Sequence, residues 1–69
     1  MTEATDLAAA AGNKDPAVGL RAVAALRRLL ERLEAAQIRN ARLQGWSWQR
    51  IADQLGVSRQ AVHKKHGKD

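Results

Sequence analysis

"GWSWQRIADQLGVSRQAVHKKHG", residues 45–67, is the stretch whose reading decides the fold. Ser47 is suited to cap a helix that starts at Trp48, because its hydroxyl oxygen can accept from an otherwise unpaired backbone N–H of the first turn. Trp46 before the cap and Ile51 after it stand at the two staple positions that fix the entry of the chain. Trp48, Ile51, Ala52 and Leu55 then share one side of the helix. Gly56 is placed to stop it, since glycine takes positive φ without steric cost. Ser58 is a second cap, and Val57 and Val62 form a second staple pair. The spacing predicts two short helices joined by a three-residue turn, Gly56–Val57–Ser58, with the second helix over 59–66. That is a helix-turn-helix. Ile51, Leu55, Val57 and Val62 are its expected core, with Ala61 and part of Lys65 or His66 facing inward. Ala52 is small where the helices cross.

Upstream, "DPAVGLRAVAALRRLLERLEAAQIRNARLQG" (15–45) reads as one long helix. Asp15 is a suitable cap, Pro16 fits the first helical position, and Gly45 suits the left-handed residue that ends it. Two apolar rows run along its front half: Val23, Leu26, Leu30, Leu33, and Ala22, Leu26, Leu29, Leu33, Ala36. Steps of 3 and 4 make this a broad stripe. It either folds back on the tail or the final helices, or pairs two chains. Pairing through Val23, Leu26, Leu29, Leu30 and Leu33 is the reading we favour, although two heptads are too few for a long coiled coil. Ile38, Ala41 and Leu43 begin a second face, so the back half is expected to complete a trihelical unit with the two short helices. "MTEATDLAAAAGNK" (1–14) has no periodic apolar face and is expected to be a flexible tail with at most transient helix.

The fold class expected is therefore all-α: residues 1–14 a tail, 15–44 a long helix whose front half dimerises, and 45–69 a helix-turn-helix. The bulk numbers agree. Sixty-nine residues hold one small domain. Fourteen alanines with no Phe or Tyr suit helices, and no Cys is present to build a disulfide or thiolate site. Residues 1–20 carry one basic and three acidic side chains, whereas 21–69 carry eleven basic and four acidic. A basic body implies a polyanionic partner, most often nucleic acid. No run of 18 apolar residues spans a membrane and no secretory signal opens the chain, so the expected location is the cytoplasm, at the bacterial nucleoid.

Residues 45–67 resemble the helix-turn-helix of small bacterial DNA-binding proteins, with spacing similar to sigma-factor region 4, site-specific resolvases and AsnC-type regulators. Ile51, Ala52, Leu55, Gly56, Val57, Ser58 and Val62 carry the resemblance. Lys65 departs from it, since the pattern has an apolar residue there, and this predicts a short recognition helix or a loosely packed last turn. The resemblance implies that the second helix enters the major groove of double-stranded DNA. The residues suit that chemistry. Arg59, Gln60, His63 and Lys64 point outward as candidate base readers: Arg pairs with guanine O6 and N7, Gln with adenine N6 and N7. Ser47, Gln49, Arg50, Ser58, Lys65 and Lys68 are candidate backbone contacts.

Other chemistries fare poorly. Trp46 and Trp48 could stack on single-stranded bases, but their spacing favours packing. His63, His66 and Asp69 are three apart, yet no further ligand completes a metal site among the cations. No nucleophile–base set, carboxylate pair or phosphate loop suggests an enzyme, and no cofactor is implied. The expected function is a homodimeric, sequence-specific transcriptional regulator. The alternatives are an adaptor that binds another protein through its leucine face, and a nucleoid-type binder with little sequence preference.

Overall fold

A computed structural model describes residues 2–67, and Lys68 and Asp69 lie outside them. Four helices follow in order: α1 (Glu3–Ala11), α2 (Pro16–Leu43), α3 (Trp48–Leu55) and α4 (Arg59–His66). The described residues include no strand, and no helix among them is long and apolar enough to cross a membrane. The chain forms two compact units, Met1–Leu33 and Glu34–Asp69.

In the first unit the expected tail is instead a nine-residue helix. Thr2 caps it, its Oγ1 accepting from the Thr5 N–H at 3.2 Å. Glu3 and Asp6 in the first turn complement the positive end of the helix. The alanines have high intrinsic helix propensity but present no apolar stripe, so periodicity does not reveal them. The chain then returns close over the start of α2: a Cβ on Gly19 would stand 3.4 Å from the carbonyl oxygens of Ala11 and Asn13. Asp15 opens α2, with Oδ1 accepting from Ala17 N–H at 2.9 Å. Far along α2, Arg32 reaches Glu3 at 3.9 Å, an exposed and weak pair.

Burial varies across the apolar stripe of α2. Ala22 is buried and Leu26 and Leu29 are half-buried. Val23, Leu30 and Leu33 stay exposed, at 39%, 63% and 51%. Of the five residues expected to pair two chains, Leu26 and Leu29 are half-buried within this unit.

The second unit packs the back of α2 against α3 and α4. Ile38, Ile51, Ala52 and Val62 form its core, with Ala41, Trp46 and Trp48 packed around them. Four expected core residues lie outside it. Leu43 is 81% exposed, because five residues of helix turn it about 140° away from Ile38. Leu55 and Val57 are 41% and 47% exposed, since the crossing of α3 and α4 centres on Ala52 and leaves the turn uncovered. Ala61 is exposed as well.

The same joint is used twice. At the end of α2, Trp46 N–H donates to Ala41 O and Gly45 N–H to Arg42 O. At the end of α3, Val57 N–H donates to Ala52 O and Gly56 N–H to Asp53 O. Both are Schellman closures, with φ of 85° at Gly45 and 71° at Gly56. Each is followed two residues on by a serine cap: Ser47 Oγ accepts from Arg50 N–H at 3.1 Å and Ser58 Oγ from Ala61 N–H at 3.0 Å. The repeated Gly-X-Ser makes two abrupt reversals and so brings three helices around four small core side chains.

Candidate nucleic-acid interface

The buried side chain of Val62, 3% exposed, sets the rotation of α4. At 100° per residue, Gln60 and Lys64 lie about 160° from Val62, His63 about 100° and Arg59 about 60°. All four candidate base readers are exposed. Arg59, Gln60 and Lys64 have no side-chain hydrogen bond or ion pair among the described residues, so their donors are free for a ligand. His63 is different. Its ring meets Trp48 edge-to-face, centroids 5.2 Å apart and planes at 81°.

Of the candidate backbone contacts, Ser47 and Ser58 accept backbone N–H bonds in their capping role. Their hydroxyl protons remain available to a phosphate oxygen. Gln49 Nε2 donates to Asp53 Oδ1 at 2.8 Å, which holds it along α3. Arg50 lies flat over Trp46, its guanidinium 3.6 Å from the ring centroid. Stacking of this kind leaves the edge donors of the fork free, and Arg50 has no acidic partner among the described residues. Lys65 is drawn the other way, with Nζ 3.4 Å from Glu34 Oε2. Lys68 lies outside the described residues.

The departure at Lys65 predicts a short helix or a loosely packed last turn; α4 is eight residues long, and its last turn is held to α2. His66 Nε2 lies 2.7 Å from Glu34 Oε2, and the imidazole side chain is 14% exposed. Because the carboxylate only accepts, the ring N–H donates. The His66 bond, reinforced by Lys65, holds the Glu34 carboxyl below its ordinary value. Glu34 thus fastens the end of α4 to α2. The two partners are 32 residues apart, and no local spacing announces them.

Sequence reasoning also passed over Arg42. Its Nη1 donates to Trp46 O at 2.7 Å, and its guanidinium stands 4.7 Å from the Trp48 ring centroid. Arg39 and Arg42, with Trp48 and His66, line a cleft beside the core. The unit is therefore a basic trihelical body whose third helix presents free Arg, Gln and Lys side chains, with both indoles engaged in packing.

Comparison with known proteins agrees with this geometry. Residues 26–65, more than half of the chain, match the model of a family described as the homeodomain-like domain. No curated protein and no solved structure matches the chain.

Proposed function

Because the chain belongs to the homeodomain-like helix-turn-helix family of DNA-binding domains, we propose that it reads double-stranded DNA sequence-specifically, as a homodimeric transcriptional regulator of the cytoplasmic nucleoid. α4 is the recognition helix in the major groove. Arg59, Gln60, His63 and Lys64 meet base edges. Ser47, Arg50 and Ser58 contact phosphates. The observation that carries this reading is the exposed surface of α4, where Gln60 and Lys64, opposite Val62, and Arg59, nearer to it, are exposed and unpaired among the described residues. An outward-facing surface of unpaired Arg and Gln at the start of a capped helix matches the donor and acceptor pattern of the groove.

Dimerisation follows from the economics of a short helix. One eight-residue helix reads only a few base pairs, which gives little affinity at physiological salt. Two copies related by a twofold axis read half-sites about 34–36 Å apart. Val23, Leu26, Leu30 and Leu33 recur at steps of 3, 4 and 3, the spacing of a helix-pairing seam. Val23, Leu30 and Leu33 are exposed, which supports this row as the seam.

Selection of bound sequences from random duplex DNA tests the proposal, with half-site spacing read from the result. Arg59→Ala is expected to cost about 1–3 kcal/mol and relax preference at one base position, whereas Arg50→Ala weakens all sequences alike. Equal losses on selected and random DNA from both changes reject base reading by Arg59 and leave a binder of low specificity.

A further inference from the structure

We propose that Trp48 is a positioning residue for DNA reading: by holding the His63 imidazole edge-to-face, it makes His63 the specificity-determining member of α4. The inference rests on the DNA-reading proposal above and names which of its four side chains discriminates best.

The four candidates are not equally prepared. Arg59, Gln60 and Lys64 are long and have no side-chain partner among the described residues, so each must be ordered when it meets a base. His63 has two side-chain torsions, and its ring already rests on Trp48, 5.2 Å away at 81°. It is exposed nonetheless; its Cδ2–Nε2 edge lies beside Gly67, where an added Cβ would stand 2.6–2.8 Å away, so Nδ1 is the ring nitrogen this proposal assigns to the groove. Trp48 is itself held from three sides. It begins α3 directly after the Ser47 cap, it packs against the core of Ile38, Ile51, Ala52 and Val62, and Arg42 stands 4.7 Å from its ring centroid. Arg42 is in turn tied to the Trp46 carbonyl at 2.7 Å. The order of the core is thereby passed through one indole to one side chain of the reading face. A ring N–H fixed in this way donates to a groove acceptor such as guanine N7 or O6, and little freedom is lost on contact. The base opposite His63 is therefore the most sharply selected of each half-site.

Sequence selection at one fixed salt concentration, on the wild type and on His63→Ala, Trp48→Leu and Trp48→Phe, tests this. His63→Ala is expected to flatten one position, with a loss of roughly tenfold in preference. Trp48→Leu should flatten the same position and spare the others, and Trp48→Phe should restore it. Loss spread evenly over the site in Trp48→Leu, or a sharp His63 position in that variant, overturns the proposal. Nuclear magnetic resonance of the free wild-type protein gives a readout that does not depend on a variant folding. His63 ring protons should show cross-relaxation to Trp48 and ring-current displacement, and their absence overturns the proposal too. Wild-type protein that selects no sequence rejects the DNA-reading proposal instead, whatever the ring protons show.

Discussion

At the scale of single residues, the glycine–serine joints carry the sharpest expectations. Gly56 has φ of 71° and open space around a would-be Cβ. Gly56→Ala therefore incurs only the backbone cost of the left-handed region, about 1–2 kcal/mol. Chemical denaturation should show that loss, with the profile of selected DNA sequences unchanged. Ala52 is the opposite case. It is fully buried where α3 crosses α4, so Ala52→Leu overfills the crossing and costs roughly 1–3 kcal/mol. That variant should also blunt sequence selection, because α4 must shift to admit the new side chain. These positions were legible from the sequence because a cap or a Schellman closure involves residues no more than five apart. Leu43, Leu55 and Val57 were misplaced for the converse reason. Helix phase says which side a residue faces but not how far the neighbouring helix extends to cover it.

At the scale of elements, Glu34 fastens α4 to α2. Its carboxyl is held below its ordinary value chiefly by the His66 hydrogen bond, so the bond's stabilisation is fully present above the ordinary carboxylate range and is lost as pH falls through the lowered value. Glu34 is about a third exposed, which limits the effect to on the order of 1 kcal/mol. Thermal midpoints of wild type and Glu34→Gln should differ near neutral pH and converge in acid. A constant offset down to the lowest pH would show that the ionised carboxylate is not what matters. The front of α2 gives a second test. On the dimer proposed above, Leu30→Glu places a charge at an exposed position and should leave the protein monomeric by sedimentation, at concentrations where the wild type is expected to pair. Leu29→Ala should instead destabilise the monomer, because Leu29 is half-buried inside its own unit. The two rows could be seen in the sequence, but which of their residues are half-buried within the unit could not. α1 itself left only a cap and two early acids as its signature: Thr2, Glu3 and Asp6.

At the scale of the whole molecule, the described residues bury only Ala22, Ile38, Ile51, Ala52 and Val62 as hydrophobic core. So small a core leaves a narrow stability margin, and binding to DNA or to a second copy raises it by mass action. The melting temperature should therefore climb with protein concentration and again with a selected duplex. Affinity should fall steeply with salt, and Arg50→Ala should lower the salt slope by about one. The placement of the indoles has a practical sequel. Both tryptophans lie in Glu34–Asp69, and the chain has no tyrosine. Intrinsic emission is consequently an optical label carried by the second unit alone, whereas far-ultraviolet dichroism weighs all four helices. Overlaying the two unfolding curves would gauge, without any added dye, how independently the halves of this chain come apart.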